Sequence, residues 1–314
     1  MADPRTIETE TVILTGDAAY GAADYEVALE SLSQWQLAWR RYKKHKLALF
    51  GTGVLFMMIF LAVFGPIIVP FDDLDIRPVS QPGGEPPAAT DLFGTDNLGR
   101  SVLALTINGA RLSILIGLAT ALIAVTIGIL VGALAGYFGG KADSILMRIV
   151  DLVLSIPFLF IVLVAARVFG SGDIVVLILI FGLLSWPGLA RLVRAVFLSL
   201  REQEFVLAAR AVGVGNLRIA FRHMLPNAIG PIVVSATLIV ANAIILEAFV
   251  SFLGFGIKST DISWGNALAK SQGTLINGNW WWPFFPGMAI ALTVLSINFI
   301  GDGLRDALDP RSRV

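Results

Sequence analysis

The chain has 314 residues, of which 56% are hydrophobic and only 15% are charged. A soluble domain of this length could not bury so much apolar surface, so the composition excludes an ordinary soluble protein and indicates an integral membrane protein. The formal net charge is zero, which predicts no nucleic-acid partner, and the lack of cysteine excludes disulfides, thiolate metal sites and a cysteine nucleophile.

The N-terminal region, residues 1–34, carries seven acidic side chains and one arginine. We predict that it is disordered at its start. Leu32, Trp35 and Trp39 then recur at helical spacing before the basic cluster Arg40–Lys46, which favours an amphipathic helix on the inner membrane face. A solvated leader with ordinary interfacial anchors explains the same pattern.

Six apolar segments are each close to the ~20 residues that a helix needs to cross a bilayer. They are Leu47–Val69, Leu112–Phe138, Ile145–Phe169, Ile174–Val196, Ile229–Phe252 and Pro283–Ile300. Lipid offers the backbone no hydrogen-bond partners, so all six are predicted to be helices of an all-α membrane protein. The predicted organisation is an extension at 1–46, a first transmembrane helix at 47–70, an outer loop at 71–111, a core domain at 112–303 and a tail at 304–314.

The distribution of lysine and arginine predicts the orientation. If the N-terminus is cytoplasmic, 17 of the 23 basic residues lie on the cytoplasmic side. Such an excess is typical of cytoplasmic loops, so both termini are predicted to be inside. The loops 71–111 and 254–282 then lie outside, and the polar segment Glu204–Pro226 lies in the cytoplasm.

Glycine and proline mark special positions within the apolar segments. Gly128, Gly132 and Gly136 are each four residues apart, which predicts close helix packing, either within the chain or at a subunit interface or gate. Pro157 and Pro187 each remove a backbone hydrogen bond, so kinks or local unwinding are expected there.

Few ionisable residues fall within the predicted spans. Arg148 and Asp151 lie three residues apart and are predicted to pair. An unpaired Glu247 would cost a few kcal/mol at mid-membrane depth, so it must face protein or water. A hydrogen bond to a neighbouring helix and a place on a translocation pathway both remain open for it.

The sequence offers no catalytic motif. Ala135–Ala142 comes closest to a phosphate-binding loop, but it lacks the first glycine and the Ser or Thr after the lysine. The two histidines, His45 and His223, do not have the spacing of a metal-ligand pair. No catalytic, cofactor-binding or metal-ligating residue is therefore assigned, and a transport subunit is favoured over a membrane enzyme.

The segment Glu204–Pro226 is charged and rich in glycine, between two apolar spans. Leu207–Ala211 suits a short helix, and Gly213 and Gly215 permit a sharp turn. A second short helix is predicted through Arg222, ending before the proline. Such a helix-turn-helix fits the groove of a soluble partner, although a loop lying on the membrane surface fits the same residues.

This segment resembles the cytoplasmic signature of the permease subunits of ABC importers, which reads Glu-Ala-Ala, three residues, Gly, nine residues, a variable position, one residue, Leu-Pro. The residues on that spacing are Ala208, Ala209, Gly213, Leu225 and Pro226, with His223 at the variable position. Leu207 stands where the family usually has glutamate, and Glu204, nearly one turn earlier, could partly substitute for it.

Three further stretches resemble the dipeptide and oligopeptide branch of that family, specifically the second of its two permease types. They are Phe93–Arg100 with Gly109–Arg111 downstream, Glu247–Gly256 followed by Trp264 and Gly265, and Gly301–Arg311. Ser101 departs from the pattern, because an aspartate is common at that position.

The resemblance implies the six-helix fold of a type I importer in the cytoplasmic membrane of a prokaryote. It implies four kinds of partner: a second related permease, two cytoplasmic ATPases that carry ATP and Mg, an extracytoplasmic solute-binding protein, and a peptide substrate. The chain itself would bind no cofactor. The implied ATPase-coupling residues are Glu204, Leu207, Ala208, Ala209, Gly213, Gly215, His223, Leu225 and Pro226.

Two alternatives remain from the sequence. Close relatives in the same family carry nickel chelates, glutathione or oligosaccharides, and a permease sequence does not separate these ligands. A proton-coupled carrier would need titratable groups deep in the spans, for which Asp151 and Glu247 are the candidates.

Overall fold

The computed structural model describes residues 34–71, 76–80, 83–169, 172–258 and 260–308. Within these ranges the secondary structure is helical, with two isolated β-bridges and no strand. The predictions for residues 1–33 and for 309–314 lie outside the described residues.

The helices are named here in chain order. They are α1 (Gln34–Lys44), α2 (Lys46–Ile68), α3 (Val102–Phe138), α4 (Gly140–Ser155), α5 (Phe158–Phe169), α6 (Ile174–Arg201), α7 (Glu204–Ala211), α8 (Asn216–Arg218), α9 (Ile229–Phe252), α10 (Trp264–Lys270) and α11 (Trp281–Leu308). A π-helical turn (Ile219–Met224) and a 3-10 turn (Leu225–Ala228) join α8 to α9, and another 3-10 turn (Thr274–Asn277) follows α10.

Five stretches of the described chain are long and apolar enough to cross a membrane. They are α2, α3, α6, the continuous helical run 216–252 and α11, and the bent pair of α4 and α5 gives a sixth span if it is counted as one. The predicted all-α fold with six spans is thereby confirmed.

The third span is sharply bent. α4 ends at Ser155, α5 begins at Phe158, and the two helices differ in direction by 80°. Ile156 is extended (φ −90°, ψ 135°) and Pro157 has no N–H to continue the helical ladder. The break predicted at Pro157 is therefore confirmed, whereas α6 continues through Pro187 without local unwinding.

α3 begins at Val102 and not at Leu112, so the outer loop predicted at 71–111 ends earlier. The hydroxyl of Ser101 accepts a hydrogen bond from the N–H of Ala104 (3.4 Å) and caps the helix. Arg111 consequently lies inside the helix. Because its charge interrupts the apolar run, the sequence analysis did not include the first turns of α3 in the predicted span.

α3 packs along α6 through its glycine row. Gly128, Gly132 and Gly136 are all buried in this contact. A Cβ added at Gly132 would lie 2.5 Å from the carbonyl oxygen of Ala190, and one at Gly136 would lie 2.5 Å from the Cβ of Phe197. The three glycines therefore pack within the chain, where their small size lets the backbones of α3 and α6 approach closely.

α1 lies against the C-terminal end of α11. Tyr42 and Ala38 are buried in a small cluster with Ala48 and Ala307, whereas Trp39 is exposed. One face of α1 is thus apolar and packed, in keeping with the amphipathic helix expected before the first span.

Candidate coupling surface and buried polar groups

The segment after α6 forms a helix, a turn and a second helical stretch. In α7, Val206 is fully buried, and the helix ends in a turn at Gly213, whose φ of +77° is a conformation that favours glycine. The N–H of Val214 donates to the carbonyl of Ala209 (3.1 Å) and closes the turn. The predicted helix and turn are therefore present.

The second helical stretch does not stop before Pro226, which corrects the prediction made from the sequence. α8 continues through the π-helical and 3-10 turns into α9, so that 216–252 runs as one helix of 37 residues. Pro226 is tolerated because it lies in the first two positions of the 3-10 turn, where its missing N–H is not needed.

The segment is anchored near the C-terminal ends of α3 and α6 by a mixed set of contacts. Val206, Ile219 and Met224 are fully buried in one apolar cluster with Tyr137 and Phe197. The hydroxyl of Tyr137 also donates a hydrogen bond to Oδ1 of Asn216 (2.9 Å), and the guanidinium of Arg210 lies 5.4 Å from the centre of the Tyr137 ring. The segment is therefore held by the transmembrane helices and is not a free loop.

Several large apolar side chains of the segment are exposed. Phe205 is 40% exposed, Leu207 49%, Leu217 57% and Val212 78%. We call these four residues the coupling patch. Exposed apolar residues are ordinary in lipid, but these lie between the predicted spans, on the side that carries the basic loops, where exposed large apolar residues are typical of a binding surface.

The nine residues implied in ATPase coupling fall on both sides of the segment. The exposed ones are Glu204, Leu207, Ala208, Gly213, Gly215 and Pro226, and the partly buried ones are Ala209, His223 and Leu225. The sequence analysis singled out the turn and Leu207, but it did not single out the exposed apolar residues Phe205, Val212 and Leu217.

Glu247 is fully buried and accepts hydrogen bonds from three serine hydroxyls. Ser263 (2.7 Å) and Ser251 (2.9 Å) donate to Oε1, and Ser113 (3.2 Å) donates to Oε2. Ser113 lies on α3, Ser251 on α9 and Ser263 at the N-cap of α10. A Cβ on Gly265 would lie 2.9 Å from the carboxylate, so the site is closed on that side too.

The contacts of Glu247 serve to hold helices together. The N–H of Trp264 donates to the Ser113 hydroxyl (3.1 Å), and its indole N–H donates to the carbonyl of Thr106 (2.7 Å), so the start of α10 is tied to α3 at several points. Glu247 has no exposed surface. The structure therefore favours the hydrogen-bonding role over a place on the translocation pathway.

The outer loop contains a buried ion pair that the sequence did not reveal. Arg100 and Asp96 are joined at 2.7 Å, with 8% and 0% of their side chains exposed. Oδ1 of Asp96 also accepts hydrogen bonds from the N–H groups of Leu98 and Arg100, both at 2.9 Å. The indole of Trp281 donates to the carbonyl of Thr95 (3.0 Å) and fastens the loop to α11.

One carboxylate of this loop has a shifted pKa. The hydroxyl of Ser80, followed by its backbone N–H, hydrogen bonds to Glu85 and lowers the pKa of that carboxyl below its ordinary value. Glu85 therefore keeps its charge to a more acidic pH than a free glutamate would.

Asp151 pairs with Arg191 of α6 and not with Arg148, which corrects the predicted pair. Nη2 of Arg191 lies 2.6 Å from Oδ1 of Asp151. A second pair, between Asp143 and Arg194, also joins α4 to α6, with Nη2 and Oδ2 2.6 Å apart. Both carboxylates of α4 thus pair with guanidinium groups of α6.

The described residues contain no cluster of three histidine, aspartate or glutamate side chains that could hold a metal ion. The stretch Ala135–Ala142, compared above with a phosphate loop, forms the corner between α3 and α4. Gly139 lies at that corner with a φ of +65°.

Comparison with known proteins gives a consistent result. Residues 128–314 match the family described as binding-protein-dependent transport system inner membrane component, and residues 33–87 match the N-terminal transmembrane domain of oligopeptide transport permease C. The dipeptide transport system permease protein DppC of Bacillus subtilis is 42% identical over 90% of this chain and 88% of its own length. The oligopeptide transport system permease protein OppC of Haemophilus influenzae is 40% identical over 92% of each chain.

A solved structure shares the fold. A chain of the inward-facing MetNI methionine ABC transporter superposes with a TM-score of 0.54 and 22% identity, over 65% of this chain and 96% of that one.

Proposed function

Because this chain belongs to the binding-protein-dependent transport system inner membrane components, and is a permease subunit of an ABC transporter, we propose that it forms half of an ATP-driven importer of dipeptides or oligopeptides. The relatives named for dipeptide and oligopeptide transport match almost the whole chain, which supports peptides as the substrate class. The other half is a second, related permease.

The coupling patch supports docking of the segment 204–226 to a cytoplasmic ATPase subunit. Its exposed apolar residues are of the kind that fill a groove in a partner, and Val206 and Tyr137 fix the segment to the membrane helices behind it. ATP and Mg are bound by the two ATPase subunits. Closure of the ATPases on ATP moves the docked segments together, and the transmembrane helices that hold them follow.

The proposed orientation follows from the charges. The coupling patch and the basic cluster before α2 lie on the cytoplasmic side of the prokaryotic inner membrane. The outer loop with Asp96 and Arg100 and the segment around α10 then face the solute-binding protein that delivers the peptide.

The buried environment of Glu247 argues against a proton-coupled carrier. A carboxylate that exchanges protons with both sides needs a path to water, whereas Glu247 is enclosed and bound by three hydroxyls. Uptake that persists with inactive ATPases and stops when the proton gradient is removed would contradict the proposal.

The docking surface can be tested with Leu207→Arg, which places a charge in the coupling patch. We expect the variant to insert and fold normally but to lose copurification with its ATPase subunits and ATP-driven peptide uptake. Ser144→Arg is the matched control, because Ser144 is exposed near the inner start of α4 and outside the patch. If Leu207→Arg retains the ATPases and uptake as Ser144→Arg does, the assignment of the patch is wrong.

A further inference from the structure

The first membrane helix, α2, packs against a different neighbour at each end. Near its start, a Cβ added at Gly51 would lie 2.7 Å from the carbonyl oxygen of Ser296, so α2 and α11 are in close contact there. Near its end, a Cβ added at Gly65 would collide with the side chain of Ile107, so α2 lies close against α3. Between these two contacts α2 crosses from α11 towards α3, and a gap remains among the three helices.

This gap is a pocket of about 230 Å³ with an almost entirely apolar lining. Leu61 of α2, Ala110 of α3, and Ala289 and Leu292 of α11 are among the residues that line it. Ala110 and Ala289 are buried within the protein, so the pocket reaches below the surface of the helix bundle.

The two polar side chains that line the pocket are already hydrogen bonded. The hydroxyl of Thr106 donates to the carbonyl of Val102 (2.8 Å), and the indole N–H of Trp264 donates to the carbonyl of Thr106 (2.7 Å). Water occupies a cavity only where it finds several polar partners, whereas a dry apolar cavity of about 150 Å³ already binds benzene. The pocket therefore suits an apolar occupant.

The pocket opens at the surface of the bundle between α2 and α11. Met57 and Met288 line it and yet are 47% and 40% exposed, so they form its mouth. Phe64 lies about two turns beyond Met57 on α2, Phe284 lies about one turn before Met288 on α11, and both rings are exposed. Exposed aromatic side chains therefore flank the approach to the mouth on both helices.

The depth of the mouth matches the reach of a lipid tail. Trp280 is exposed just before α11, and tryptophan is enriched where a membrane meets water. Met288 lies eight residues further along the chain, which is about 12 Å at 1.5 Å per residue. One leaflet contributes roughly 15 Å of hydrocarbon, half the thickness of the hydrocarbon core. A phospholipid whose headgroup is level with Trp280 can therefore place the end of an acyl chain at the mouth.

We propose that the pocket between α2, α3 and α11 binds one acyl chain of a membrane phospholipid. We call it the acyl pocket, and it comprises Met57, Leu61, Ala110, Met288 and Ala289. The acyl chain enters between the two methionines, whose unbranched side chains adapt to an irregular apolar shape. This binding needs neither ATP nor a peptide, so it stands or falls independently of the proposed transport function.

Packing draws the acyl chain into the pocket. Exclusion from water does not, because the surrounding lipid is as apolar as the lining. An unfilled void deprives the side chains around it of dispersion contacts, and an acyl chain restores them. The bound acyl chain thereby bridges α2 and α11 beyond their close contact at Gly51 and Ser296.

A photoreactive lipid tests the acyl pocket. The protein and its copurifying subunits are placed in vesicles of phosphatidylcholine, a fraction of which carries a diazirine near the end of one acyl chain. After illumination, the labelled residues are identified by mass spectrometry. Ala110 is 1% exposed, so only an acyl chain inside the pocket reaches it, whereas Met57 also meets the surrounding lipid. We expect label at both residues of the unaltered protein.

Ala289→Phe fills the pocket, and Ala291→Phe is the matched control, because Ala291 is exposed on α11 and does not line the pocket. We expect Ala289→Phe to lower the label at Ala110 by at least about fivefold relative to Ala291→Phe, since a close-packed interior has no room for both the ring and the acyl chain. The label at Met57 should remain. Leu61→Trp fills the pocket from α2 and replaces Ala289→Phe if that variant does not fold.

Two results would overturn the proposal. One is the absence of label at Ala110 in the unaltered protein, as when a side chain of the second permease fills the pocket. The other is label at Ala110 that is as strong in a filling variant as in Ala291→Phe.

Discussion

The hydroxyl of Tyr137 donates a hydrogen bond of 2.9 Å to Oδ1 of Asn216 and thereby joins the C-terminal end of α3 to the beginning of α8. This is a direct polar link between a membrane-spanning helix and the candidate coupling segment. The guanidinium of Arg210 lies 5.4 Å from the centre of the same ring, so both arms of the segment contact one side chain.

Tyr137→Phe should uncouple ATP hydrolysis from transport. The change removes one hydrogen bond, which costs about 1 kcal/mol of the free energy of unfolding, and loosens the segment that carries the coupling patch. Tyr42→Phe is the control, because it removes a hydroxyl contact of 2.6 Å with Thr52 outside this segment. We expect only Tyr137→Phe to lower the peptide taken up per ATP hydrolysed. Equal ratios in the two variants would contradict the link.

Gly213→Val should weaken assembly with the ATPases, since Gly213 has a φ of +77°. A β-branched residue in this region is strained by about 1–2 kcal/mol, and the turn that orients α7 will distort. Gly254→Val is the matched control: Gly254 also has a positive φ (+82°) and a Cβ there also meets nothing within 4 Å, but it lies just after α9 and outside the coupling segment. Copurification of ATPase subunits distinguishes them, and equal yields would show that the turn is not needed.

Gly132→Leu should destabilise the protein, because the added side chain collides with the backbone of α6. Overpacking of this kind costs about 1–3 kcal/mol, and rigid backbone atoms place this site at the upper end. Gly53→Leu adds the same side chain where nothing lies within 4 Å. The midpoint of thermal unfolding in detergent should fall for the first variant only. An unchanged midpoint for Gly132→Leu would mean that α3 and α6 are not packed as described.

Glu247→Leu should be far more harmful than Glu247→Gln. Leucine leaves the buried hydroxyls of Ser263, Ser251 and Ser113 without their acceptor, at about 1–3 kcal/mol for each unsatisfied group. Glutamine keeps one oxygen acceptor and nearly the same shape, so it should lose much less. Thermal unfolding of the two variants gives the comparison, and equal losses would show that the hydrogen bonds do not stabilise this region.

Asp96→Asn should strongly destabilise the outer loop. It removes the charge of one member of a buried pair, a change that typically costs about 3–5 kcal/mol. Asp91→Asn is the control, because the pair of Asp91 with Arg77 is longer (3.5 Å) and half of the Arg77 side chain is exposed, so the loss should be about 0–1 kcal/mol. Limited proteolysis of the outer loop measures both. Similar cleavage rates would contradict the structural role of the Asp96–Arg100 pair.

The sequence predicted features that depend on local chemistry. The break at Pro157 follows from a missing N–H, and the turn at Gly213 follows from the conformational freedom of glycine. Contacts between distant residues could not be read in the same way. Asp151 has Arg148 three residues away, yet it pairs with Arg191, forty residues along the chain, because the packing of α4 on α6 brings the two together.

The start of α3 and the end of the coupling segment were missed for a related reason. A charged Arg111 and a proline at 226 interrupt the local pattern, but neither interrupts the helix once its neighbours are in place. The rule that proline ends a helix fails at Pro226 because the preceding turn is π-helical and the proline lies at the start of a 3-10 turn.

α3 and the helical run 216–252 each contain 37 residues. At 1.5 Å per residue, each is a rod of about 55 Å. A hydrogen bond from Tyr137 to Asn216 joins the two helices near one end, and a hydrogen bond from Ser113 to Glu247 joins them far from there. Two helices joined by hydrogen bonds at two separated points cannot slide along each other unless one of these hydrogen bonds breaks. We therefore expect a displacement at Asn216 to move both helices together as one rigid body. α10 moves with them, because its start is hydrogen bonded to Glu247 and Ser113.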